Sequence, residues 1–167
     1  MKNLFNIFLI LGCCFWVTKT DGQDLMFIKF ENPDLEGKTT AQGMNGWSDV
    51  SEVSYEVVAG RSTGSGRSIN SGNPAMKFTV KKKKDGAFSK LGSLSKLNGR
   101  IFQKVKIAYV ASGSAEPHKQ IILENCIIKK GRQSGNSELL ELSFQRILFF
   151  DEADALFGWD VTQGRKI

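Results

Sequence analysis

The sequence contains few of the residues from which disulfides and metal sites are built. Its 167 residues include three cysteines, one histidine and three prolines. Cys13 and Cys14 belong to an apolar N-terminal segment, so Cys126 is left alone in the rest of the chain. This distribution excludes an internal disulfide and a cysteine metal cluster. Because Cys126 lies in an apolar run, we interpret it as a small buried hydrophobe rather than a reactive thiol.

Motifs of enzymes are missing as well. His118 follows Pro117 in a predicted turn, where no pattern supplies a nucleophile, and we interpret it as a surface histidine. The sequence contains no HExxH, P-loop or dinucleotide fingerprint. The glycine-rich stretch GRSTGSGRS is not followed by a helix or by Gly-Lys-Ser/Thr, which argues against a phosphate site. We therefore expect no catalytic activity, no cofactor and no metal.

Positive charge exceeds negative charge but is confined to short clusters. There are 23 Lys and Arg against 17 Asp and Glu, a formal net charge of +6. Much of the excess lies in Lys81 to Lys84 and in residues 129–132. Aromatic side chains do not alternate with these lysines, as they would in many nucleic-acid-binding surfaces. We interpret Lys81 to Lys84 as a solvated strand end and expect no nucleic-acid partner.

The first 22 residues have the layout of a secretory signal peptide. A short basic start precedes an apolar run from Leu4 to Val17, and polar residues follow. The run is shorter than the roughly 20 apolar residues of a membrane span, and we expect no transmembrane segment in the mature chain. Cleavage after Gly22 would release a protein into the periplasm or the medium. Two alternatives stay open: lipidation at Cys13, and an uncleaved leader or a true start at Met26, either of which would leave the protein in the cytoplasm.

Residues 23–167 are predicted to form one mainly β domain. Alternation of apolar and polar residues, such as Met76, Phe78 and Val80 on one face, predicts six or seven antiparallel strands. Residues 119–130 are apolar on both faces, which indicates a central strand. The apolar phase changes near Gln145, which predicts a bulge or a strand that passes between sheets. Leucines spaced by three predict one helix near residues 87–98. The expected fold is a β-barrel or sandwich with that helix against it.

Two features are candidates for contacts between subunits. The polar, glycine-rich segment 60–73 is too long for an ordinary loop, and loops of that length are usually functional or mobile. Trp159, in the Gly-Trp-Asp sequence near the C-terminus, could lie at a subunit contact or could pack on the barrel as a plug. The candidate interface residues are Gly60, Arg61, Ser62, Thr63, Gly64, Ser65, Gly66, Arg67 and Trp159.

Four segments occur in order along the chain: FTVKKKKDGAFSKL, KQIILENCIIKK, ELLELSFQRILF and FGWDVTQGRKI. Together they resemble the haemolysin-coregulated protein (Hcp) family, the tube subunits of type VI secretion systems, and the resemblance runs from about Asp24 to Ile167. It implies an antiparallel two-sheet β-barrel with one helix, closed into hexameric rings that stack head to tail. It also implies sheath, spike and effector proteins as partners. Segment 60–73 is similar to the family's extended loop, which reaches a neighbouring ring.

The N-terminal leader departs from the family pattern, because tube subunits generally lack one. A functional leader would export the protein without the secretion machine. The alternative hypothesis is therefore an exported β-barrel binding module or lipoprotein at the cell surface, outside the secretion tube.

Overall fold

A computed structural model of the chain describes residues 24–58, 75–87, 99–152 and 154–167. Within these ranges the regular structure consists of β-strands, with no helix. The predicted helix near residues 87–98 and the predicted leader lie almost entirely outside the described residues. The strands are β1 (Leu25–Glu31), β2 (Ser48–Val58), β3 (Ala75–Lys83), β4 (Ile101–Val110), β5 (Lys119–Ser134), β6 (Ser137–Ser143), β7 (Arg146–Asp151), β8 (Asp154–Asp160) and β9 (Arg165–Lys166).

Six of these strands close into an antiparallel barrel. The order β4-β1-β2-β3-β6-β5 is completed by a further pairing between β4 and β5. Strands β7, β8 and β9 continue from β5 outside the barrel. The mainly β, antiparallel barrel is the predicted fold. The expectation of two sheets and of six or seven strands is corrected, because one continuous sheet closes on itself and carries three additional strands.

Strand β5 forms a long hairpin with the chain that follows it, β6 and β7, and this hairpin joins the barrel to the additional strands. Strand β5 pairs with β7 from Lys119↔Asp151 onward and with β6 as far as Ser134↔Ser137. On the other edge of this hairpin, β6 pairs with β3 and β7 pairs with β8. The interruption between β6 and β7 falls at Gln145, whose side-chain oxygen accepts a hydrogen bond from Asn125 at 2.7 Å. The predicted change near Gln145, a bulge or a passage between sheets, is observed as a break between β6 and β7 within one sheet. The central position of β5 is confirmed.

The barrel interior is filled by the apolar face of each strand. Phe78 and Val80 from β3 are fully buried, and Leu140 and Leu142 from β6 face them. Phe30 and Phe102 contact each other with ring centroids 5.0 Å apart. A smaller cluster lies on the outside of β1 and β4, where the chain between β1 and β2 covers it; it contains Phe27, Met44, Ala108 and Val110.

Candidate assembly surfaces and the sites that support them

The structure describes one of the nine predicted interface residues. Trp159 lies in β8 opposite Ile147 of β7 and packs, partly buried, against the barrel core. Its ring is stacked on Phe157 with centroids 6.2 Å apart. This packing supports the plug alternative for Trp159. The segment Gly60 to Arg67 lies outside the described residues, so its predicted role at an interface stays a prediction.

Gly158 precedes Trp159 at a point where β8 is closely packed on both sides. A Cβ atom there would lie 2.8 Å from Leu148 Cδ2 and 2.8 Å from Ile167 Cγ1. The C-terminal residue also donates its backbone N–H to the Gly158 carbonyl at 3.1 Å. A glycine at this position lets the end of the chain lie directly across β8.

Asp160 ends β8 as the acceptor of four hydrogen bonds. Its Oδ1 accepts bonds from the Thr162 hydroxyl at 2.6 Å, the Thr162 N–H at 2.9 Å and the Gln163 N–H at 3.0 Å. Its Oδ2 accepts a bond from Arg146 Nε at 3.3 Å. The hydroxyl of Thr162 and these other donors favour the carboxylate, and they lower the pKa of Asp160 to about 2. Asp160 therefore holds the turn between β8 and β9 and ties it to β7.

We expect the substitution Asp160→Asn to lower stability and to change its dependence on pH. The folded-state pKa of Asp160, about 2, is below the ordinary value of 3.8, so the ionised carboxylate stabilises the folded protein above about pH 4. That contribution is lost as the pH falls from about 4 toward 2. The urea midpoint of the wild type should therefore fall more steeply across this range than that of Asp160→Asn. Equal slopes for the two proteins would contradict this account of Asp160.

Lys82 is a buried charge at the end of β3. Its side chain is fully inaccessible to solvent, and its Nζ donates to Glu138 Oε2 at 2.8 Å, Asp85 Oδ1 at 2.9 Å and the Lys83 carbonyl at 2.9 Å. Both carboxylates are themselves almost fully buried. A lysine is buried at such a position only when it is paired and hydrogen-bonded. The interpretation of Lys81 to Lys84 as a solvated strand end is therefore wrong for Lys82, although its three neighbours are exposed.

Asp85 connects this ion cluster to three other parts of the chain. Its Oδ1 accepts the Ala87 N–H at 3.0 Å, and its Oδ2 accepts the Lys38 N–H at 3.3 Å. Burial acts to raise the pKa of Asp85. Hydrogen bonds from Ser48, Lys82 and Ala87, together with the charge of Lys82, outweigh this and leave the pKa below its usual value. The cluster thus joins the ends of β3 and β6 to the chain between β1 and β2.

A signal for this cluster was present in the alternation of β3. Met76, Phe78 and Val80 point inward, and the same period places Lys82 on the inward face. Glu138 likewise continues the inward series of Leu140 and Leu142 in β6. What the sequence did not contain was the register, which places Lys82 directly opposite Glu138.

Cys126 and His118 are the remaining residues whose side chains could take part in chemistry. Cys126 is completely buried, and burial raises the pKa of its thiol to about 12, so the predicted inert, buried cysteine is confirmed. His118 is half-buried and its Nε2 lies 3.2 Å from Asp24 Oδ2. Among the described residues, no group of three or more His, Cys, Asp or Glu side chains could hold a metal ion. No helix in the described part of the chain is long and apolar enough to cross a membrane.

The closed antiparallel barrel with appended strands places the chain among the β-barrel proteins. The model of the family described as "Type VI secretion system effector, Hcp" matches residues 27–149, which is more than half of the chain. The chain therefore belongs to the Hcp family, the tube-forming proteins of type VI secretion systems. No curated protein matches the sequence.

Solved structures share the fold at low sequence identity. Hcp1 from Salmonella typhimurium superposes with a TM-score of 0.69 at 13% identity, covering 87% of this chain and 99% of that one. A double mutant of Hcp1 from the E. coli EAEC 042 pathovar gives 0.62 at 13% identity and covers 82% and 99%. The secreted protein Hcp3 from Pseudomonas aeruginosa gives 0.59 at 18% identity and covers 82% and 98%. At such identities the similarity establishes the barrel fold.

Proposed function

We propose that this protein forms hexameric rings that stack head to tail into the tube of a type VI secretion system. The observation that carries the proposal is the family match over residues 27–149. The tube would carry effectors outward, and the sheath and spike of the apparatus would be its further partners. The role is structural and needs no catalytic residue.

The surface of the barrel suits association between different patches of neighbouring copies. Strand β8 lies outside the closed barrel, and its Leu156 and Phe157 are 62% and 40% exposed. Tyr55 is 60% exposed and belongs to β2, a strand of the barrel that does not pair with β8. Contacts between two different patches are heterologous, and such contacts close into a ring when the rotation between copies permits it. The segment Gly60 to Arg67 is a proposed contributor to these contacts.

We expect a hexamer when the purified protein is measured by light scattering coupled to size-exclusion chromatography. The mass should equal six chains at micromolar concentration and should increase further at higher concentration as rings stack. Mass spectrometry of the same sample gives the N-terminus and hence the mass of one chain. A single-chain mass across a hundredfold range of concentration would refute the proposed function.

The same determination of the N-terminus addresses the leader. An N-terminus at Gln23 would agree with the predicted cleavage and with export before assembly, whereas one at Met1 or Met26 would agree with assembly in the cytoplasm. Family membership does not favour the alternative of an exported binding module outside the tube. We propose secretion through the apparatus as the route by which the protein leaves the cell.

A further inference from the structure

A basic concavity lies on the outside of the barrel where β3, β6 and β5 meet. Its volume is about 300 Å³. The strand register brings its side chains together, because Lys130 of β5 lies opposite Glu141 and Arg132 lies opposite Leu139. Three cations and one carboxylate line it, a net charge of +2. We call it the basic cleft, and its lining residues are Lys77, Thr79, Lys130, Arg132, Leu139 and Glu141.

The charges of the basic cleft are only partly neutralised. Lys77 Nζ lies 3.5 Å from Glu141 Oε2. Lys130 and Arg132 are exposed, and neither forms an ion pair with another of the described residues. Leu139 lies opposite Arg132 with 39% of its surface exposed. Cations beside an exposed leucine match a peptide that presents carboxylates next to an apolar side chain.

The chain itself contains a segment of that chemistry. Asp151 ends β7, Glu152 follows it and Asp154 begins β8. Leu156 has 62% of its surface exposed. None of the three carboxylates forms an ion pair with a described residue. We call residues 151–156 the acidic hairpin. Its charge is opposite to that of the basic cleft, and both contain one exposed leucine.

A copy cannot place its own acidic hairpin in its own basic cleft. Asp151 lies opposite Lys119 at the start of β5, whereas Glu141 in the cleft lies opposite Lys130. Eleven residues of strand separate these two positions, which corresponds to roughly 36 Å at about 3.3 Å per residue. The two surfaces can therefore meet only between different copies.

We propose that the acidic hairpin of one copy binds in the basic cleft of the next copy. The contact joins two different patches, so it propagates from copy to copy and either closes a ring or links successive rings. This inference rests on the proposed assembly function and names the surfaces that would carry it. Opposite charges at such a contact fix its register and suppress wrong pairings.

The test reverses the charges on each side and then on both. One variant carries Lys130→Glu and Arg132→Glu, a second carries Glu152→Lys and Asp154→Lys, and a third combines all four changes. The concentration of half-assembly, measured by light scattering, should rise about tenfold or more for each of the first two, because like charges then face each other. The combined variant should return toward the wild type. Assembly of the wild type should also weaken as salt rises from about 0.05 to 0.5 M.

The control variant is Lys104→Gln, which removes an exposed charge on β4 away from both surfaces without placing a carboxylate between Glu31 and Glu124, the residues opposite Lys104. It should assemble like the wild type. The inference is overturned if reversal of the cleft has no more effect than this control, or if the combined variant assembles no better than either half. If the wild type remains a single chain, the proposed function fails as well. If the wild type assembles and the reversals do nothing, the inference alone fails.

A cross-linking measurement covers the case in which a reversal variant does not fold. A chain carrying Arg132→Cys and Asp154→Cys should form a ladder of disulfide-linked chains under mild oxidation, because the two new thiols would face each other between copies. Cys13 and Cys14 are replaced by serine in every variant, so that each single variant should give no ladder, and the buried Cys126 should not contribute. Absence of a ladder from the double variant under conditions of assembly would overturn the inference.

Discussion

The substitution Lys82→Met should destabilise the protein by about 3–5 kcal/mol, measured as the free energy of unfolding in urea near pH 7. Methionine fills a similar volume but leaves Asp85 and Glu138 without the cation that each contacts at less than 3 Å. Two buried carboxylates without a partner are far more costly than the loss of one ordinary hydrogen bond. The deficit should shrink as the pH falls toward 4, because protonation removes the unpaired negative charges.

The matched controls are Lys81→Met and Lys83→Met, which change the same residue type on the exposed neighbours in β3. Each should alter stability by no more than about 0.5 kcal/mol. A variant that combines Lys82→Met with Asp85→Asn and Glu138→Gln should recover part of the loss, since it removes the uncompensated charges. A loss for Lys82→Met no greater than for Lys81→Met would show that the ion cluster does not stabilise the barrel.

The substitution Phe78→Ala should cost about 3–5 kcal/mol of unfolding free energy. Phe78 is completely buried in β3, and its ring contacts Phe144 edge-on with centroids 6.1 Å apart. Removing the ring would leave a cavity between β2, β3 and β6, and these strands cannot collapse into it because the barrel is closed. Thermal unfolding followed by circular dichroism should show a correspondingly large fall in Tm.

Tyr55→Ala is the control for this prediction because Tyr55 lies directly opposite Phe78 in β2 and stacks on it, but is 60% exposed. Its removal should cost about 1 kcal/mol or less, since little apolar area leaves the core. If Tyr55 lies at a contact between copies, the variant should assemble less well while its Tm changes little. Equal losses of stability for the two variants would contradict the position assigned to Phe78.

Strand alternation predicted the inward and outward residues of β3 correctly as far as Val80. The same alternation continued to Lys82. A lysine after the inward-facing Met76, Phe78 and Val80 nevertheless suggested that the strand had reached solvent by this point. Whether a charged side chain on the inward face is tolerated depends on what faces it. The register supplies Glu138, and the turn after β3 supplies Asp85. Neither partner can be identified from the local pattern of β3.

The C-terminal region contains a strand that the local sequence pattern did not predict. The sequence predicted no separate strand around Gly-Trp-Asp, whereas Asp154–Asp160 forms a strand paired along β7. Gly158 and the two aspartates made the segment a poor strand former, because glycine and aspartate are depleted in strands. Pairing with β7 and the packing of Trp159 against the core decide its conformation.

The sequence by itself determined the class of fold, the inert burial of Cys126, the central position of β5 and the change of phase at Gln145. Each of these follows from the polarity of residues that are close together in the chain. Only the tertiary structure decided the closure of β4 on β5, the burial of Lys82 and the exposure of the basic cleft. Lys82 and Glu138 are 56 residues apart in sequence, and their contact exists only because β3 and β6 are held in register by the rest of the barrel. Such contacts depend on the pairing of distant strands, and local alternation does not specify that pairing.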